Sequence, residues 1–285
     1  MMVARCVRAE RLDGLIACAT LLCVLALSGC GATTSEESRT QRLTITGSST
    51  VAPLVAEMAQ RFESEHANVR IDVQTGGSAR GIADARRGLA DIGMVSRSLN
   101  ENERNLHAHV LARDGIAMLV HRDNRIDQLT HQQIIDIYTG GISNWKTVGG
   151  SDAPITVVNK AQGRATLDVF LGHFDIKSNQ IHANVVIGDN EQAIKTVAGN
   201  RHAIGYVSIG AAEYHIGRDE PIKLLPAHSI EASTPNVANG DWPISRELIV
   251  VTKDQPTGLT GRFVTYAQSS AVHDLIEALY FVPVE

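Results

Sequence analysis

Two hydrophobic periods alternate along this chain. Leu43-Thr44-Ile45-Thr46 reads as a short strand that Gly47 ends. Val51, Leu54, Val55, Met58 and Phe62 then fall at helical spacing, which sends one face to a core. Val69 to Val73 predicts a second strand, followed by a helix through Ile82 and Ala85. Leu89 to Arg97 predicts a buried strand ending in polar Ser96 and Arg97, and Ser98 with Glu101 has capping-box spacing for a short helix. Gly115 to His121 is an apolar strand. Thr130 and Gln133 open a helix through Ile134, Ile137 and Tyr138, which Gly140-Gly141 stops. Ile155 to Val158 predicts a strand before a helix through Leu167, Phe170 and Leu171. Asp189 and Gln192 cap a helix with Ala193, Ile194 and Val197 on its apolar face. His202 to Val207 and Arg246 to Val251 predict strands, a looser stretch runs from His228 to Asn239, and two helices close the chain between Gly261 and Leu279. Strands that alternate with helices predict an α/β fold of parallel sheets covered by helices.

Three of the strand-to-helix junctions share a chemistry. Gly47-Ser48-Ser49-Thr50, Gly76-Gly77-Ser78-Ala79-Arg80 and Lys160-Ala161-Gln162-Gly163-Arg164-Ala165-Thr166 combine small residues, hydroxyls and, in the last two, basic side chains. A helix start presents unpaired N–H groups and a partial positive charge, which suits an oxyanion. One such junction is an ordinary Ser/Thr cap; three suggest a shared ligand.

The first thirty residues add a targeting signal. Arg5, Arg8 and Arg11 precede an apolar run from Leu15 to Leu27 that is too short for a confident membrane span. Leu27-Ser28-Gly29-Cys30 fits a lipobox, so residues 1–29 are expected to be a removed signal peptide, Cys30 the lipidated residue and residues 30–42 a polar tether. All four cysteines, Cys6, Cys18, Cys23 and Cys30, lie in this region, so the exported domain is expected to hold no disulfide. Net charge is −5, no footprint for nucleic acid. Aromatics at 4% argue against base- or sugar-stacking grooves. The eleven histidines show no metal-ligand spacing, and neither metal nor cofactor is expected. Ser78 lacks a Gly-x-Ser-x-Gly elbow because position 80 is Arg.

In this order and spacing, the chain resembles the phosphate-binding (PstS-like) proteins of bacterial phosphate ABC transporters. The resemblance rests on Gly47 to Thr50, Gly76-Gly77-Ser78 with Gly81-Ile82, Asp91-Ile92-Gly93 with Ser96-Arg97, and Ala112 to Ala117. It also rests on Leu129 to Gly150, including Ile142-Ser143-Asn144-Trp145-Lys146, on Gly205 to Ser208, and on Phe281 to Val284. It implies a periplasmic-binding-protein-like (class II) fold of two α/β lobes. The first would combine 43–120 with 236–285 and the second would be 121–235, with an anion in the cleft between them.

The resemblance also implies a ligand set. The first lobe would supply Ser48, Ser49, Thr50, the Val51 backbone, Ser78, Ser96 and Arg97. The second would supply Lys160, Arg164, Ala165 and Thr166. The protein would be a monomeric, lipid-anchored, extracytoplasmic receptor rather than an enzyme. It would deliver inorganic phosphate to an ABC permease with its ATPase subunits. Three positions depart from the family. Lys160 stands where relatives carry Arg, and Arg164 where they carry Ser, so the forked cation is expected at Arg164. Ser96 replaces an Asp that accepts the proton of phosphate, which leaves another tetrahedral oxyanion such as sulfate open. A lipid-anchored serine hydrolase using Ser49 or Ser78 is the alternative from another class.

Overall fold

A computed structural model describes residues 40–284. The expected signal peptide, Cys30 and most of the tether lie outside the described residues. The strands are β1 (Gln41–Gly47), β2 (Val69–Thr75), β3 (Ile92–Val95), β4 (His107–His121), β5 (Thr156–Lys160), β6 (Val185–Ile187), β7 (Ala203–Ser208), β8 (Ile222–Leu224), β9 (Ser245–Thr252) and β10 (Val282–Pro283). The helices are α1 (Ala52–Glu65), α2 (Ser78–Arg87), α3 (His131–Tyr138), α4 (Ala165–Phe174), α5 (Asn190–Ala198), α6 (Ile209–Ile216), α7 (Thr234–Ala238), α8 (Gly258–Ala267) and α9 (His273–Ala278).

The main sheet runs β2-β1-β3-β9-β4-β7-β5-β6. β1 pairs in parallel with β2 and β3, and β5 in parallel with β7 and β6, while β9 and β4 are inserted antiparallel between these groups. The long strand β4 joins two halves. From His107 to Gly115 it pairs with β9; from Ile116 to Val120 it pairs with β7. Each half has its own core. Leu54, Met58, Phe62, Met94 and Phe263 pack in one, and Tyr138, Trp145, Phe170, Tyr206 and Trp242 in the other. This is the two-lobed α/β architecture that the resemblance implied.

Local chemistry explains most element ends. Thr130 and Gln133 form the expected capping box, and Asp189 accepts from the Gln192 N–H at the start of α5. Gly47 has φ of +134°, and a Cβ there would lie 2.3 Å from the Met94 carbonyl oxygen, so β1 and β3 approach closely only without a side chain. Some expectations shift. The buried strand begins at Ile92, and Leu89 is exposed. The short helix after it is a 3-10 turn at Glu101–Glu103 boxed by Asn100 and Glu103, not by Ser98 and Glu101, because the Glu103 side chain reaches back to the Asn100 N–H. β4 begins at His107, eight residues before the apolar run, since its first half pairs with β9 while its opening residues stay exposed. The stretch from His228 to Asn239 contains the short helix α7, capped by Ser233.

Candidate functional site

The three small-residue junctions meet at the joint between the halves. β1 delivers Ser48, whose N–H donates to the Met94 carbonyl (2.9 Å). Its hydroxyl accepts from the N–H groups of Thr50 (3.2 Å) and Val51 (3.4 Å) and donates to Ser96 Oγ (2.9 Å). The Ser96 N–H in turn donates to Ser78 Oγ (3.1 Å). Three buried serines from three loops thus share one network. Gly77, at φ +94°, turns the chain into α2, and the following Ala79 N–H donates to the Gly163 carbonyl of the other half (3.2 Å).

The second half brings cations. Lys160 ends β5 with its ammonium buried, donating to the Asp189 carbonyl (2.6 Å) and Asn190 Oδ1 (3.2 Å). Loss of solvent lowers its pKa to about 7, helped by the positive charges of Arg246 and Arg164 and opposed by Asp189. Arg164 precedes α4 and is half-buried. Its stem lies against Gly77 and its guanidinium against Gly188: a Cβ on these glycines would sit 3.0 Å from Arg164 Cδ and 3.2 Å from Nη2. Its side chain makes no hydrogen bond or ion pair among the described residues. Ala165 and Thr166 form the first turn of α4, and Asn190 Nδ2 donates to Thr50 Oγ1 across the joint (3.2 Å).

These groups enclose a small polar pocket. Every residue expected from the sequence lines it except Val51 and Arg97, and Gly77, Gly188, Asp189 and Asn190 complete the wall. Val51 contributes its N–H to Ser48 instead. Arg97 turns away. It holds Glu103 through both terminal nitrogens (2.7 and 3.0 Å) and Asp168 through Nε (3.0 Å), an arrangement that lowers the Glu103 pKa.

Sequence reasoning missed Arg246. Its buried guanidinium backs the pocket, donating to Thr166 Oγ1 (3.0 Å) and to the Ser96 carbonyl (3.3 Å), with Thr50 Oγ1 at 3.5 Å. Asp114 holds it from behind at 2.8 and 3.0 Å, and also accepts from Ser208 Oγ (3.0 Å). Asn190 was missed as a wall residue too. The available signal was an Arg and an Asp, each at the polar edge of an apolar strand, but only the pairing of β4 with β9 brings them together.

Six hydroxyls, three cations and the amides at two helix starts converge here. Such a set can replace the hydration of a small oxyanion.

A family model described as a PBP superfamily domain matches residues 32–271. The chain belongs to the PBP superfamily. Within the superfamily it is PstS-like. The phosphate-binding protein PstS of Bacillus subtilis (strain 168) is 29% identical over 245 residues, covering 85% of this chain and 80% of that protein. A crystal structure from Clostridium perfringens, described as a phosphate ABC transporter substrate-binding protein with bound phosphate, is 32% identical. It superposes with a TM-score of 0.80 over 86% of this chain and all of the other. An ABC-type phosphate transport receptor from Vibrio cholerae is 29% identical, with a TM-score of 0.71 over 85% of this chain and all of that one. The pocket of this PBP-superfamily chain is lined by the loops that follow β1, β2 and β3 in one half and β5 and β6 in the other.

Proposed function

We infer that the protein is an extracytoplasmic receptor that captures inorganic phosphate for an ABC importer. The observation that carries this reading is the polar pocket itself. Donors from both halves surround it, two of its cations have no carboxylate partner among the described residues, and the third, Arg246, is neutralised on the side facing away. The relatives named for phosphate support the same ion. In this reading the ligand set is Ser48, Ser49, Thr50, Ser78, Ser96, Lys160, Arg164, Ala165 and Thr166, with Arg246 added. The partner change along β4 supports a division into lobes of 43–120 with 236–285 and of 121–235. Anchoring through Cys30 rests on Leu27 to Cys30 in the sequence. No histidine is among the described residues that line the pocket, and Lys160 Nζ is bonded to Asp189 and Asn190 rather than to a serine, which argues against hydrolase chemistry at Ser49 or Ser78.

A second reading keeps the receptor and changes the ion to sulfate. Among the described residues that line the pocket Asp189 is the one carboxylate, and it already caps α5 through Gln192. A fully ionised anion therefore meets little acidic repulsion. Calorimetry with phosphate and sulfate on protein purified free of both decides the matter. Phosphate heat with a weaker or absent sulfate response supports the first reading. The reverse order supports the second, and no heat with either ion refutes both.

A further inference from the structure

A second cavity, of about 630 Å³, lies in the β7-side half, away from the anion pocket and sharing no residue with it. Its floor is apolar. Met118 of β4, Phe174 at the end of α4, Leu225, Trp242 and Ile244 form it, and all five are buried. Trp242 is fixed there by a hydrogen bond from Nε1 to the Ile116 carbonyl (3.1 Å). The volume lies in the range that small-molecule sites occupy.

The rim is unusual in its charge inventory. Among the described residues that line the cavity, His131, His173 and His228 are the titratable ones; no Asp, Glu, Lys or Arg lines it. His131 stands 5.5 Å from the His173 ring and 4.7 Å from Phe174, so two imidazoles cluster at one edge. Burial lowers the His173 pKa and the charges of His131 and His228 add to this, so His228 lies near the same pair. It sits in a two-residue hairpin turn closed by reciprocal bonds between Ala227 and Ile230 (3.0 and 2.8 Å). Both central residues, His228 and Ser229, have positive φ, +51° and +65°. This turn geometry favours Asn-Gly, and neither residue is glycine. A strained backbone held beside a cavity points to a constraint other than folding.

We propose that this cavity binds an amphiphilic organic acid, its apolar body on the Trp242 floor and its carboxylate on the imidazole rim. Each imidazole can donate an N–H whatever its charge, and no acidic group of the lining repels the head. The proposal is independent of the anion pocket.

The test keeps that pocket filled. Full-length protein saturated with phosphate is titrated with decanoate and, separately, with decylamine, following tryptophan fluorescence. Decanoate should give a saturable change with a sub-millimolar Kd, at least tenfold tighter than the amine. His228→Asp should reverse that preference while phosphate binding stays unchanged, because Asp tolerates a left-handed backbone. A lack of saturable response to decanoate at millimolar concentration overturns the proposal. Equal binding of acid and amine overturns it too, as does an unaltered preference in the folded, phosphate-binding variant.

Discussion

Asp114 and Arg246 make the most informative perturbation. The two side chains are essentially inaccessible to solvent, at 0% and 1% exposure, and meet at 2.8 Å. Asp114→Asn keeps the shape and an acceptor for Ser208, but removes the charge. Arg246 cannot release its proton, so a buried guanidinium is left without its counter-ion. For charge centres about 4 Å apart at an effective dielectric near 20, the lost attraction is about 4 kcal/mol. Breaking one partner of a buried pair costs about 3–5 kcal/mol in comparable cases. The ligand-free variant should lose stability of that order.

An anion in the pocket changes the sign of the second effect. It approaches the face of Arg246 that touches Thr166, Ser96 and Thr50, and so substitutes for the missing carboxylate. If it recovers about 2–3 kcal/mol, phosphate should bind roughly 30- to 150-fold tighter to Asp114→Asn than to the parent. The stability deficit should then narrow as phosphate rises, because a ligand of the folded state stabilises by mass action. Urea unfolding followed by tryptophan fluorescence at several phosphate concentrations, with calorimetry alongside, measures both terms. A deficit equal with and without phosphate, together with an unchanged Kd, would refute the reasoning. Arg246 would then be a structural pair remote from the ligand's field.

Further outcomes follow from the same pocket. Lys160 has a folded pKa of about 7 against 10.5 when unperturbed, so the unfolded chain binds the extra proton between these values. The ligand-free protein should gain stability with rising pH across that window, by up to about 1.4 kcal/mol per unit, and Lys160→Met should flatten the rise in pH-dependent melts. Phosphate should restore the ammonium, so calorimetry near pH 8 in buffers of different ionisation enthalpy should detect proton uptake that Lys160→Met lacks. Arg164→Ala should weaken phosphate by at least tenfold, since a bidentate guanidinium is lost, and Lys160→Ala should weaken it less; the opposite ranking in side-by-side titrations returns the principal role to Lys160. Gly77→Ala places a Cβ 2.7 Å from the Gly163 carbonyl and strains a φ of +94°, and should weaken binding about tenfold or more while leaving an expanded particle in small-angle scattering with phosphate. Cys30→Ala should abolish metabolic fatty-acid labelling; unchanged labelling excludes the lipobox.

Much of this fold was written in local patterns. The 3.6-residue period of Val51 to Phe62, the caps at Thr130 and Asp189, and the glycine-rich junctions are short-range signals, and each appears where its chemistry directs. The hydroxyls and cations of those junctions were legible for the same reason. Arg246 was not, because its role comes from a register between β9 and β4, more than 130 residues apart in sequence. Arg97 shows the converse error. It ends a strand beside Ser96, as a ligand would, but the capping carboxylate of Glu103 and the first turn of α4 bind it instead. Neighbouring positions share a loop without sharing a direction, and charge partners decide between them.

That placement of Arg97 also bears on how the halves stay together. Among the described residues, contacts that cross the joint near the pocket include Arg97 to Asp168, Asn190 to Thr50, the Ala79 N–H to the Gly163 carbonyl, and Arg246 to Thr166. Each involves a residue that lines the pocket or sits within two positions of one that does. Each is modest alone; a hydrogen bond contributes about 1 kcal/mol net, and an ion pair with one partner 44% exposed contributes no more. Those contacts favour closure only weakly, and closure sets Lys160 and Arg164 of one half against Arg246 of the other, a repulsion that Asp114 and the lowered Lys160 pKa reduce. An anion removes that repulsion and adds bonds to both sides, so its differential affinity falls on the closed form. The same residues that select the ion thus set the shape that a partner could read.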